Sequence, residues 1–258
     1  MYVFPKLKYN LIYNGLENFT NQPPTLILCN HKRNEDPMII FPPLYKKGFP
    51  QLHFVARYDL FLQGLPGFQQ SYHPFIGALL FYVNMRKPMR LLNAHPIRKY
   101  ETTTVRELLI DIKDKMGDFC IDDILTEKWN FLFYALRPGE DDKKLKISEV
   151  IKPHYNRVLK KQYRSLGSFL KDRDFREEVK DLERSIVQEQ EIELIELLNE
   201  GGTLCLFPEG DLSLDGKLRK IKAGLHDVLK ETKTNVRILP INITYDFMFT
   251  TSCLQLEE

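Results

Sequence analysis

Short, uninterrupted apolar runs mark the two ends of this chain. Thr25-Leu-Ile-Leu-Cys29, Leu52-His-Phe-Val-Ala56 and Thr203-Leu-Cys-Leu-Phe207 are each bounded by turn-forming or polar residues. Thr25–Cys29 suits a strand buried on both faces, as in a parallel sheet, Leu52–Ala56 reads as a further candidate strand and Thr203–Phe207 as another buried one. Asn10–Tyr13, ahead of the turn at Asn14-Gly15, and Val236–Ile243 read as further strands, and Ala223–Glu231 reads as a helix. Between roughly Asp111 and Glu200 the texture changes and charges become dense. There Phe175, Val179, Leu182 and Ile186 recur at helical spacing, Ile192, Ile195 and Leu198 continue the stripe, and Gly201-Gly202 stops it. The pattern predicts an α/β fold, a single domain over residues 1–258. Its central, mostly parallel sheet is flanked by helices, and a charged helical insertion occupies about 112–199.

Composition narrows the class. The 258 residues are 43% hydrophobic and 28% charged, which excludes a disordered chain. Lys and Arg number 37 against 35 Asp and Glu, a formal charge of +2, too balanced for a dedicated nucleic-acid binder. Cys29, Cys120, Cys205 and Cys253 form no C-x-x-C pair, so neither a zinc ribbon nor a dense disulfide framework is expected. No metal site is expected either. Cys29 and Cys205 lie in apolar runs and read as small buried thiols in a reducing compartment. The N-terminus lacks a signal-peptide pattern. The longest apolar run, Phe75–Val83, falls short of the ~18–20 residues that span a bilayer.

Two segments carry candidate chemistry, each directly after a predicted buried strand, where open α/β sheets place their sites. The first is Asn30-His31-Lys32-Arg33-Asn34-Glu35-Asp36-Pro37. On an unbroken helix His31 and Asp36 would lie about 140° apart, so they meet only if the chain turns between them. Asp36 as N-cap with Pro37 at N1 supplies such a turn. A histidine facing a carboxylate is a general base with its orienting partner; the pair alone also fits a polar strand end beside a helix cap. The second segment is Phe207-Pro208-Glu209-Gly210, followed by Lys217, Arg219, Lys220 and Lys222. It fits neither a phosphate-binding P-loop nor an EF-hand loop. What remains is a carboxylate on a turn and a basic cluster able to hold a phosphate, or an exposed basic turn.

Taken in order, Asn-His-x4-Asp-Pro, Phe-Pro-Glu-Gly, Ile221-Lys-Ala-Gly224 and Ile238-Leu-Pro-Ile241 resemble the sequence blocks of the glycerolipid acyltransferase family, over about residues 9–110 and 200–248. The resemblance implies transfer of a fatty acyl group from a thioester, acyl-CoA or acyl carrier protein, to a hydroxyl of a glycerolipid acceptor such as 1-acylglycerol-3-phosphate. It makes His31 the general base and Asp36 its partner, with no cofactor beyond the co-substrate. Glu209 and Gly210 inherit acceptor binding. Arg98 is preferred to Arg86 as the second block's phosphate-binding arginine, since it follows a small apolar strand. The block after Phe-Pro-Glu-Gly reads Asp211-Leu212-Ser213 where the family usually has Thr-Arg-Ser, so an arginine is missing, and Lys217, Arg219 or Lys222 is the candidate substitute.

The resemblance further implies a peripheral enzyme on the cytoplasmic face of a membrane, with no spanning segment and no nucleic-acid partner. Aromatic and apolar side chains of Phe61–Tyr82 are candidates for the membrane contact, or for core. Lys152, Arg157, Lys160, Lys161 and Arg164 read as a solvated surface, or as a contact for anionic lipid or an acidic carrier protein. Competing readings are an acyltransferase for a different lipid acceptor, a thioester hydrolase and a non-catalytic lipid-binding module. No Gly-x-Ser-x-Gly elbow supports a serine hydrolase.

Overall fold

The computed structural model describes residues 10–20, 22–33, 36–49, 51–62, 83–98, 103–137, 143–210, 220–245 and 251–255. The strands are β1 (Asn10–Asn14), β2 (Thr25–Cys29), β3 (Leu52–Arg57), β4 (Ala94–Ile97), β5 (Thr203–Leu206), β6 (Arg237–Tyr245) and β7 (Thr251–Gln255). The helices are α1 (Asp36–Lys46), α2 (Arg86–Leu91), α3 (Val105–Lys115), α4 (Ile121–Ile124) and α5 (Glu127–Tyr134). They continue with α6 (Ile147–Val150), α7 (Asn156–Leu159), α8 (Leu166–Phe169), α9 (Arg173–Asn199) and α10 (Ala223–Glu231). The chain divides into two compact units: Met1–Ala56, Arg90–His95 and Glu189–Glu258 form one, Arg57–Met89 and Pro96–Gln188 the other.

The first unit is built on a sheet of order β1-β7-β6-β2-β5-β3-β4. β2 pairs in parallel with both β5 and β6, and β3 pairs in parallel with β5. β7 returns antiparallel to β6 and pairs in parallel with β1. The fold is therefore α/β with a largely parallel central sheet flanked by helices, as the apolar runs predict. Ile27, Cys29, Cys205, Leu239 and Ile241 face Ile39, Ile40 and Leu44 of α1. Leu26, Leu204 and Leu206 face Leu194 and Leu198 of α9 and Val228 of α10. Cover on both faces is why Thr25–Cys29 carries no polar alternation, and each fully buried leucine or isoleucine contributes roughly 1.5–3 kcal/mol.

The second unit is helical among its described residues and has its own core, including Leu108, Trp129, Phe133, Tyr155, Phe169 and Val179. The Trp129 and Phe169 rings meet edge to face at 5.1 Å, and the indole N–H donates to the Ser168 carbonyl at 3.0 Å. The charge-rich segment is thus not all surface: Lys152, Arg157, Lys160, Lys161 and Arg164 are exposed, while Tyr155, Val158 and Leu159 between them are buried. Along α9 the expected stripe shifts. Ile192 is exposed, and Leu194 is buried with Leu198. Glu183 and Gln190 occupy buried positions of the same stripe, so the period continues through polar residues that apolar counting skips.

α9 ends as Gly201-Gly202 predicts. Gly201 takes a left-handed φ of 85°, its N–H reaches the Leu198 carbonyl at 3.1 Å, and the Gly202 N–H reaches the Leu197 carbonyl at 2.8 Å. A Cβ on Gly202 would sit 2.7 Å from the Leu197 carbonyl oxygen and 2.5 Å from its Cδ1. Replacing Gly202 by Ala should therefore destabilise the protein by about 1–3 kcal/mol in chemical denaturation, whereas an unchanged midpoint would show that this junction gives way freely.

Candidate functional site

The site begins where β2 ends. β2 and β5 lie side by side in register, Leu28 opposite Leu206, so the segments that follow them leave the sheet at the same end. Beyond Cys29 the pairing with β6 continues through a side chain. Asn30 Nδ2 donates to the Ile243 carbonyl at 3.0 Å, and the Ile243 N–H donates to Asn30 Oδ1 at 2.6 Å. This clamp fixes the chain one residue ahead of His31.

Asp36 opens α1 and is fully buried. Its carboxylate does not cap that helix, as the Asp36-Pro37 spacing predicts, but turns back toward the loop. Oδ2 accepts from His31 Nδ1–H at 2.9 Å, from the Lys32 N–H at 2.7 Å and from the Arg33 N–H at 2.8 Å. Oδ1 accepts from the Tyr245 hydroxyl at the end of β6. Tyr245 in turn lies beneath the Arg33 guanidinium, 4.3 Å from its ring centroid. The tight loop satisfies its own N–H groups on Asp36, and so brings together two side chains that a helix would separate. With Nδ1–H held by the carboxylate, Nε2 is the nitrogen left to accept a proton.

The second segment packs directly against this one. The Phe207 ring stacks on the His31 imidazole with centroids 4.2 Å apart and planes 26° apart. The Phe207–Gly210 turn is closed by Gly210 N–H to Phe207 C=O at 2.9 Å, and Gly210 has a φ of 67°, which glycine adopts without strain. Pro208 C=O accepts the Lys222 N–H at 3.0 Å, tying the turn to the start of α10. Glu209 is 1% exposed. Burial first, then Cys205, Asp36 and Glu209, push the Cys29 thiol well above its ordinary pKa, and burial pushes Cys205 up to about 12. Both thiols stay protonated and serve as packing, not as nucleophiles.

His31, Asp36, Glu209 and Gly210 thus lie on adjoining segments of one unit, and Lys222 begins the helix next to them, exposed. Lys217, Arg219, the Asp211-Leu212-Ser213 departure and most of Phe61–Tyr82 lie outside the described residues. Arg98 and Arg86 belong to the other unit. Arg86 is exposed at the start of α2. Arg98 is buried, ion-paired with Asp111, and stacked at 4.7 Å over the Tyr58 ring, whose hydroxyl donates to Asp111 at 2.6 Å. Sequence reasoning did not single out Asn30, Phe207 and Tyr245. The first two lie inside the quoted motifs; Tyr245 lies two residues beyond the predicted end of its strand and carries no local signal. Among the described residues no group of three His, Cys, Asp or Glu side chains is arranged to hold a metal, and no helix is long and apolar enough to cross a membrane.

Comparison with known proteins gives one match: residues 129–244 fit the family model described as Acyltransferase. No curated protein and no solved structure matches. The matched region takes in β5, the Phe207–Gly210 turn, α10 and most of β6, and it supports acyl transfer as the class of chemistry. His31 and Asp36 precede it, so their place in the site rests on the geometry above.

Near Arg98, Thr104 caps α3 and Glu107 completes the capping box: the Glu107 N–H donates to Thr104 Oγ1 at 3.3 Å and its carboxyl accepts the Thr104 N–H at 3.0 Å. Burial pushes this carboxyl up to about 7 against the restraint of the Thr104 N–H. An acid raised in the folded state keeps a proton that the unfolded chain has already released. The stability of this unit should therefore fall as pH climbs from about 4.5 to 7, by at most ~3 kcal/mol. Trp129, the single tryptophan, reports the transition by fluorescence. Glu107→Gln should flatten that slope; an unaltered slope would show that Glu107 is not its source.

Proposed function

We propose that the chain transfers a fatty acyl group from a thioester, acyl-CoA or acyl carrier protein, to a free hydroxyl of a glycerolipid such as 1-acylglycerol-3-phosphate. The observation that carries this reading is the His31–Asp36 pair, held by the loop and stacked against the Phe207–Gly210 turn. The Acyltransferase match supports the reaction class, and the ordered motifs supply the acceptor class. Nε2 of His31 takes the proton of the acceptor hydroxyl as its oxygen attacks the thioester carbonyl carbon. The tetrahedral intermediate collapses with cleavage of the C–S bond, and the departing thiolate recovers the proton from the imidazolium. Asp36 holds the imidazole in the productive tautomer and stabilises its charged form while the proton resides there. Glu209 and Gly210 contact the acceptor, with Lys222, Lys217 or Arg219 available for its phosphate; Arg98, buried against Asp111 in the other unit, is not. No acyl-enzyme forms, in keeping with the two raised thiols.

His31→Ala should lower transfer from labelled acyl thioester to lysophosphatidic acid by about 10²–10⁴-fold. The wild-type rate should rise with pH, because a protonated imidazole cannot take the hydroxyl proton. Undiminished transfer by the variant, or a flat profile under chemistry-limited conditions, would remove His31 from the role.

The acceptor is a lipid, so the reading places the protein peripherally at a membrane surface, on the cytoplasmic face. Flotation with anionic vesicles should carry it into the upper fractions; a protein left wholly at the bottom would refute surface attachment.

A further inference from the structure

We propose that Tyr245 is a positioning residue for the His31–Asp36 pair: its hydroxyl fixes the Asp36 carboxylate so that Oδ2 stays on His31 Nδ1. The inference rests on the reading of His31 as the base and adds a group outside both sequence motifs. The torsion that orients a carboxylate is broad and roughly two-fold, so side-chain preference does not select which oxygen faces the imidazole. Three donors converge on Oδ2. They belong to one short loop, and a loop that shifts carries them with it. The hydroxyl on Oδ1 comes from β6, an element of the sheet.

The same strand grips the loop at two further points. Asn30 is bound through both backbone groups of Ile243, and the Arg33 guanidinium rests on the Tyr245 ring. β6 thus holds Asn30 through the Ile243 backbone and Asp36 and Arg33 through the Tyr245 side chain, on either side of His31 in the chain. Tyr245 also draws on the Asp36 charge. A carboxylate that shares its charge with a hydroxyl pulls less strongly on the His31 proton.

The test is Tyr245→Phe, which keeps the ring under Arg33 and deletes only the hydroxyl. Turnover should fall about tenfold, the equivalent of one hydrogen bond to a charged group, with the KM for the acceptor unchanged. The acidic limb of the pH–rate profile should move to higher pH. In an Asp36→Ala background the same substitution should cost nothing more. A variant that loses thermal stability yet keeps the wild-type turnover and profile would overturn the proposal, as would an additive loss in the Asp36→Ala background.

Nitrogen-15 NMR of the His31 ring provides a readout independent of turnover. Wild type should show the Nδ1-protonated tautomer, and Tyr245→Phe should raise the pH at which the ring titrates. Identical ring signals in the two proteins would overturn the proposal by themselves. If His31→Ala retains full transfer, the base assignment fails, and the NMR arm still decides whether Tyr245 acts on His31 through Asp36.

Discussion

A carboxylate removed entirely from water loses hydration worth several kcal/mol unless donors replace it. Asp36 is such a group, and its replacement donors build the site: an imidazole N–H, two backbone N–H groups from the loop and a tyrosine hydroxyl from the sheet. Each donor restricts the others. The backbone pair forces the chain to double back between His31 and Asp36, the imidazole is thereby fixed by Nδ1, and the tyrosine ties the carboxylate to β6. Loss of the carboxylate would remove the shared acceptor of all four donors at once. The burial of one acid thus links local chain geometry, the tautomer of a histidine and the chemistry that histidine can perform.

The parallel sheet supplies the other half of the arrangement. Because β2 and β5 run the same way in register, residues far apart in sequence emerge at a common end. The Phe207 ring then covers one face of His31. An apolar face packed against an imidazole excludes water from that side while leaving its edge nitrogens in place. The side chain of His31 is 19% exposed, so the imidazole is not sealed from solvent.

Much of this was legible in the sequence because it rests on short-range signals. The continuous apolar runs gave the doubly covered strands β2 and β5 and the presence of β3, which is only half-buried beyond Leu52, and Gly201-Gly202 gave the end of α9. The two motifs placed His31, Asp36 and Glu209 at strand ends. What was illegible depends on long-range pairing. The β7 return strand, residues 251–255, carries no pattern that separates it from a loop. Tyr245 gains its meaning only when β6 lies beside β2, and Asn30 only when Ile243 is its neighbour. Arg98 was assigned by its position after a small strand, whereas its burial against Asp111 and Tyr58 depends on how α3 packs. The charged stretch hid a core, because residues such as Tyr155, Val158 and Phe169 are too sparse among lysines and arginines to form a periodic stripe.

The central claim is that the acyl group of a thioester passes to an acceptor hydroxyl and not to water. It is tested most directly by supplying acyl thioester with a monoacyl glycerolipid whose free hydroxyl carries oxygen-18, and weighing the products. Transfer to the hydroxyl predicts an acylated lipid that retains the label in its new ester linkage. Free fatty acid, with the labelled lipid recovered unchanged, would contradict it.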